Sequence, residues 1–215
     1  MSASRLRIYI LLLLTAAIWG IAGPVIKYTL GWFSPEIFLS YRFFISAVVA
    51  VIIIAFTGLK IPKEPKIIFW TITYCLLTST IALGILFLGY KETTAIDAGL
   101  IGATAPLFIA IAGVIFLKEH LTKREKIGVG IAFLGTLITI LEPVLKNGNG
   151  PSGIYGNTLV LLSVIAGTAS AVLAKILLRE KLRPSDATNL TFVVGFLTIL
   201  PITLLSNSPA AVWHQ

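Results

Sequence analysis

Apolar residues run through this chain in seven long blocks separated by short polar segments. The blocks cover residues 8–30, 36–56, 67–89, 95–117, 127–145, 154–178 and 187–205. Each has close to the ~20 residues that a helix needs to cross the hydrocarbon of a bilayer. Few show a 3.6-residue amphipathic stripe, as expected when lipid meets one face and apolar protein the other. Turn formers mark the joints: Ser34-Pro35, Pro62 and Pro65, Asn147 through Gly150-Pro151, and Pro184-Ser185. The pattern predicts an all-α integral membrane protein with seven transmembrane helices.

The first block returns later in the chain. At one constant shift Leu11, Leu13, Leu14 and Lys27 fall on Leu159, Leu161, Leu162 and Lys175, and one extra hinge residue then aligns Pro35 with Pro184 and Phe43 with Phe192. Leucine matches between apolar runs carry little weight. A lysine within each run, followed by a proline and a shared phenylalanine, carries more and points to an internal repeat. Five blocks separate the two starts, so the copies enter the membrane from opposite sides and are inverted. Five helices fill the first copy and two the second, which predicts a chain three helices short of two full copies.

Composition agrees with a membrane class. The chain is 57% hydrophobic and 12% charged, with mean hydropathy +0.96, against about 25% charge in soluble domains. The net charge of +8 comes from short basic clusters between the blocks rather than from one patch. That placement argues for membrane orientation and against a nucleic-acid partner. Twelve lysines and arginines fall on one side: Arg5, Arg7, Lys60, Lys63, Lys66, Lys118, Lys123, Arg124, Lys126, Arg179, Lys181 and Arg183. The other side has only Lys91 and Lys146. The bias places the N-terminus in the cytoplasm and the protein in the cell (inner) membrane. The first block, about 19 uncharged residues after Arg7, is too long for a signal-peptide core and reads as an uncleaved span.

Trp19-Gly20, the Lys27…Ser34-Pro35…Arg42 spacing, Ala105-Pro106, the Leu117-Lys118-Glu119-His120-Leu121-Thr122 turn and the Gly128…Gly135 helix resemble the EamA-type drug/metabolite transporter superfamily. The resemblance spans Leu11 to about Leu141 well and Gly153 to about Leu205 more loosely. It implies ten helices in two inverted five-helix repeats around a central substrate cavity. On that basis residues 8–145 are the first repeat, 146–153 an external linker and 154–215 the truncated second repeat. The chain is then part of a ten-helix carrier. The second copy departs from the first, with Gly167 in place of Trp19 and Thr191 in place of Arg42. The resemblance implies export of small metabolites or drugs by alternating access.

Several intramembrane side chains are candidates for solute contact. Arg42 lies about 10 Å into its span at ~1.5 Å per residue, where an arginine is costly unless it faces a cavity or a partner. There it either fixes an anionic group bidentately or snorkels to the outer interface. Trp19 sits mid-span rather than in an interfacial belt, which suits a cavity wall or a packed core. Tyr41, Tyr74 and Thr78 would add hydrogen bonds to the same cavity. Pro106 falls mid-span and predicts a bend, and Pro201 is a second candidate. Lys27 and Lys175, near opposite faces, read as snorkelling lysines or as a repeated gate. Small residues every four positions (Ala98, Gly102, Pro106, Ala110 and Gly128, Ala132, Thr136) predict that spans four and five pack as a tight hairpin. Asp97 and Glu142 are the carboxylates nearest a possible proton path.

Catalytic patterns are missing. His120 and His214 fall in a loop and the tail, the lone Cys75 sits in an apolar block, and neither a metal-binding pair nor a phosphate loop appears. We expect no enzyme activity, cofactor or metal, and energy from a gradient. The expected partners are a small-molecule substrate and the lipid bilayer, with a homodimer or a second chain completing the fold as a further possibility. The alternative class is a non-transporting seven-helix receptor or scaffold. Against a receptor stands the cytoplasmic N-terminus, and against a retinal pigment the lack of lysine in the last block.

Overall fold

In a computed structural model, residues 3–118, 120–145 and 153–206 are described, and they form helices joined by short turns. We number them α1 (Ala3–Thr29), α2 (Pro35–Thr57), α3 (Pro65–Glu92), α4 (Ala95–Leu117), α5 (Lys123–Leu145), α6 (Ile154–Arg179) and α7 (Pro184–Ser206). By their described residues six of them, α1–α4, α6 and α7, are long and apolar enough to cross a membrane. In α5 the expected block 127–145 is helical and follows an opening turn of Lys123, Arg124, Glu125 and Lys126.

Local chemistry sets the helix ends. Ser34 caps α2, its Oγ accepting from the Ile37 N–H at 3.4 Å, and Pro35 follows at the first helical position. Thr94 caps α4 in the same way, with its Oγ1 accepting from the Asp97 N–H at 3.0 Å. Before α5, Thr122 and Glu125 form a reciprocal capping box. The Thr122 N–H and hydroxyl donate to Glu125 Oε2 at 2.7 and 2.8 Å, and the Glu125 N–H donates back to Thr122 Oγ1 at 3.3 Å. After α2, α4 and α6 the chain turns through left-handed backbone at Gly58, Lys118 and Lys181 (φ 68°, 56° and 66°). Glu119 and the linker 146–152 lie outside the described residues, as does the side chain of Glu142.

Two antiparallel pairs make the core. The start of α2 meets the end of α7, where Ser40 and Thr203 share a buried hydrogen bond of 2.6 Å and Thr203 also donates to the Glu36 carbonyl at 3.0 Å. At the opposite end Asp186, 1% exposed, accepts from Arg183 Nε at 2.7 Å and from the Lys60 N–H at 3.2 Å. Arg183 also donates to the Gly58 carbonyl at 2.9 Å, so the α6–α7 turn is laced to the α2–α3 loop.

The second pair is α3 with α6, and it closes backbone to backbone. A Cβ on Gly156 would lie 2.5 Å from the Glu92 carbonyl carbon, and one on Gly89 would lie 2.8 Å from Val160. Beside this crossing the fully buried Asn157 accepts from the Thr93 hydroxyl and donates to the Thr139 carbonyl of α5 at 3.2 Å. One amide thus joins three helices. Phe43, Phe87, Ile101 and Val160 fill the space between the pairs.

Among the described residues the expected tight hairpin of α4 and α5 is not present. A Cβ on Gly99, Gly102, Gly128, Gly130 or Gly135 would meet no atom within 4 Å. Small residues permit close approach without compelling it, and here the close approaches go to Gly89, Gly156 and Gly195. Gly195 brings α7 onto α2 and α3, its Cβ position being 2.6 Å from the Phe43 ring and 2.9 Å from Ser79 Cβ.

α3 and α4 are irregular in mid-course. α3 carries a π-helical stretch, Leu76–Ala82, where the Thr78 and Ser79 hydroxyls return to the Tyr74 and Cys75 carbonyls at 2.8 and 2.7 Å. Such back-bonding bends helices, and Thr80 fastens the stretch to Thr198 of α7 at 2.5 Å. α4 is interrupted at Ala103–Thr104, and Pro106 opens its second half. That break is the expected consequence of a proline lacking its N–H. α7, by contrast, runs unbroken through Pro201.

Two outcomes follow from this packing. Gly156→Ala must push backbone against backbone and should lower stability by more than about 2 kcal/mol. Gly167→Ala has open space and should be neutral or gain up to ~1 kcal/mol of helix propensity. Thermal unfolding of both variants in detergent checks the contrast. The second outcome concerns pH. The Thr122 N–H and hydroxyl hold the Glu125 carboxyl below the usual carboxylate range. The stabilisation of the α5 start is therefore present above the unfolded-state value and lost as pH falls through the lower folded-state value. Amide exchange at residues 123–126 should accelerate, relative to the intrinsic rate, only at that acidic end and not between pH 6 and 8.

Candidate functional site

A cavity of about 940 Å³ opens among α3, the second half of α4, and α6. α3 and the cap before it supply Glu64, Lys66, Trp70, Thr73 and Leu77; α4 supplies Phe108, Ala112 and Phe116; α6 and the cap after it supply Ile165, Thr168, Ala169 and Glu180. From Glu64 to Leu77 is about 20 Å of helix at ~1.5 Å per residue, roughly two-thirds of the hydrocarbon thickness. The charged members, Glu64, Lys66 and Glu180, all lie at one end, where α3 begins and α6 finishes. That end carries the lysine- and arginine-rich loops. The depth is apolar and aromatic, with Thr73 and Thr168 as its hydroxyls.

Both helix irregularities border this space. Leu77 belongs to the π-helical stretch of α3, and Phe108 stands just after the break in α4. The wall is therefore made where the backbone departs from a regular α-helix, a placement tolerated within a membrane where backbone lines a cavity or packs on protein.

The side chains expected to meet solute are dispersed, and none of them lines this cavity. Tyr74 and Thr78 stand next to Thr73 and Leu77 in sequence but are half-buried on other faces; the Thr78 hydroxyl returns to the Tyr74 carbonyl. Tyr74 instead borders a small pocket of about 170 Å³ between α3, α6 and α7. Pro106 is exposed two residues before Phe108, where the lining residues of α4 begin. Trp19, 68% exposed on α1, and Tyr41, 43% exposed on α2, face outward.

Arg42 lies over the buried Phe87 ring, its guanidinium carbon 5.7 Å from the centroid, a cation–π contact that braces α2 on α3. Lys27 spans from α1 to the carbonyls of Tyr90 and Lys91 at 2.9 and 3.0 Å. It thereby neutralises the carbonyl end of α3, where a cation is favoured. Lys175 is exposed on α6. Asp97 is buried beside its cap at the start of α4.

Sequence reasoning missed Asn157 and Asp186, two of the buried side chains that knit the helices. Their signal was a polar residue at the start of an apolar run, Asn157 just inside one and Asp186 just before the next. The π stretch had a signal too, the hydroxyl triplet Thr78-Ser79-Thr80.

Apolar helices of spanning length, three of them walling a cavity, define a multi-pass membrane protein. Residues 6–141 match the EamA-like transporter family, and the chain belongs to it. "Uncharacterized transporter YyaM" of Bacillus subtilis (strain 168) is 30% identical over 97% of this chain and 71% of its own length. An "Uncharacterized transporter" of Archaeoglobus fulgidus is 33% identical over 90% of this chain and 66% of its own length. The chain is thus a multi-pass membrane transporter that spans about two-thirds of these relatives.

The geometry makes Arg42 a testable brace. Arg42→Ala should lower stability by about 1–2 kcal/mol through loss of the contact with Phe87. Arg42→Lys should lose less. Thermal unfolding in detergent reads both, and an unchanged Arg42→Ala midpoint would remove the brace.

Proposed function

We propose that this chain is the major part of a secondary carrier that exports small metabolites or drugs across the cell (inner) membrane, with its N-terminus in the cytoplasm. The observation that carries the reading is the deep apolar cavity whose charged end coincides with the lysine- and arginine-rich loops. Solute would enter there from the cytoplasm and be held near the midplane. A gradient would supply the energy, with no chemistry done on the solute.

In this reading α5 is the fifth of seven spans. Residues 8–145 form one five-helix repeat, 146–153 an external linker and 154–215 the start of an inverted copy. The antiparallel pairing of α2 with α7 supports that arrangement, because α7 is the counterpart of α2 in the second copy. Alternating access would rock the two copies about this pair. The π stretch of α3 and the break in α4 would take up the strain. A homodimer or a second chain would close any wall left open, and Trp19, exposed on α1, would face it. Trp19, Tyr41, Tyr74, Thr78 and Arg42 would meet solute only in a state with the cavity turned outward, and Lys27 and Lys175 would close its two ends.

A plug tests the site. Ala169→Trp fills the cavity from an exposed position on α6 and should cut gradient-driven uptake into inside-out vesicles at least about tenfold. Its thermal midpoint should stay near that of the parent. The readout is accumulation of a radiolabelled panel of amino acids and amphipathic drugs, with and without a protonophore. Accumulation undiminished by the plug would place the solute path elsewhere.

A further inference from the structure

Two lysines stand in backbone that a lysine disfavours. Among the described residues, Lys118 and Lys181 are the only non-glycines with positive φ, at 56° and 66°. Each ends a helix. Lys118 caps α4, its N–H bonded to the Gly113 carbonyl. Lys181 follows Glu180, the cap of α6, and the turn closes as the Leu182 N–H donates to the Leu177 carbonyl at 3.2 Å, with both leucines in one apolar cluster. Glycine usually fills such a position, because it has no Cβ to clash. This chain itself uses glycine after α2, where Gly58 has φ 68°.

Helix-end chemistry does not account for the choice. A cation near the last carbonyls of a helix is favourable, but a lysine in the last helical turn has that benefit without left-handed strain. Both side chains are exposed, and among the described residues neither has a hydrogen-bond or ion-pair partner. Lys27 and Arg183, by contrast, are bonded to carbonyls and, for Arg183, to Asp186.

The two helix ends adjoin. Phe116 and Glu180 border the same cavity, so Lys118 and Lys181 stand one or two residues beyond its rim. Glu64 and Glu180 are negative there, but Lys63, Lys66 and Arg179 neighbour them in the sequence, and with Lys118 and Lys181 the rim is basic on balance. Just beneath the lysines, Ile115 and Phe116 on α4 and Ile176 and Leu178 on α6 are exposed. At ~1.5 Å per residue, each lysine lies within about 5 Å of the last apolar residue of its span, Leu117 or Leu178. Cations at that depth above bare apolar side chains match an anion that carries apolar chains.

We infer that Lys118 and Lys181 form the headgroup site of an anionic phospholipid, its phosphate between the two ammonium groups and its acyl chains on the exposed apolar side chains of α4 and α6. The left-handed backbone is then a loss of helix-end stability accepted for the lipid contact. The site does not depend on the carrier reading, because lipid binding is measured without transport.

Native mass spectrometry of the full chain in dodecyl maltoside, titrated with palmitoyl-oleoyl phosphatidylglycerol, reads the affinity, and the matching phosphatidylcholine is the control. The first phosphatidylglycerol should bind at least about tenfold more tightly than phosphatidylcholine. Lys118→Gly with Lys181→Gly should abolish that preference and, without lipid, raise the thermal midpoint by about 2–4 °C as the strain is relieved. Lys118→Gln with Lys181→Gln should abolish the preference and leave the midpoint unchanged, whereas the two arginine replacements should keep the preference. Lys123→Gln with Lys126→Gln removes two charges from the neighbouring loop and should reduce the preference less than about threefold.

Equal affinity for the two lipids overturns the inference. So does a preference that survives the glycine pair, or one that the Lys123 and Lys126 pair abolishes as fully, which is general attraction to a basic face. A midpoint that falls in the glycine pair shows that the lysines serve their own helix ends, and it overturns the inference too. Glycerol phosphate shares the phosphate and lacks the chains; if an excess of it displaces phosphatidylglycerol, the occupant is a soluble phosphate and the assignment to a lipid fails.

Discussion

The whole bundle depends on one backbone crossing, where Gly156 of α6 meets Glu92 and Thr93 at the end of α3. Lipid is as apolar as leucine, so helices gain little from burying leucine on leucine. What holds them is close van der Waals contact and hydrogen bonds that water does not compete for. Two glycines bring the α3 and α6 backbones together, and that proximity puts Asn157 within reach of Thr93 and Thr139. With α6 fixed in this way against α3, its opposite end packs Leu177 with Ile67, and its middle forms a wall of the cavity.

α7 repeats the principle with different chemistry. Gly195 brings it onto Phe43 and Ser79, and a hydroxyl pair at each of two levels, Ser40 with Thr203 and Thr80 with Thr198, fixes its height. The Arg183–Asp186 bridge closes the same helix at its start. Polar groups at both ends and in the middle set the register of apolar surfaces that would otherwise slide.

The helices were legible in the sequence because length and hydropathy alone decide what crosses a bilayer. The break at Pro106 was legible because a missing N–H acts locally. The caps at Ser34 and Thr94 follow from the same kind of short-range chemistry. Packing partners were not legible. Small residues spaced in fours on α4 and α5 permit an approach that nothing there enforces, whereas the isolated Gly89, Gly156 and Gly195 take part in close contacts. The cavity wall escaped for a related reason. Arginine, tyrosine and tryptophan attract attention as chemistry, but the wall is built largely of residues that any apolar span would contain. Only the positions of α3, α4 and α6 distinguish Ile165 from a lipid-facing isoleucine. Arg42 shows the converse, a conspicuous charge whose partner is the face of Phe87.

α1 differs from the other spans in how little of it is covered. From Ile8 to Ile21 its large side chains are exposed, and its firm attachment is the Lys27 ammonium bonded to two carbonyls of α3. A charged hydrogen bond of this kind contributes about 1.5–3 kcal/mol, small beside the free energy that holds such an apolar helix in the bilayer. For biogenesis this means that insertion and docking are separate events. α1 can enter the membrane during synthesis as an independent anchor and wait there, since its landing site at Tyr90 and Lys91 is made only once α3 has been translated. α1 is then fastened by a residue that acquires its partner two helices later.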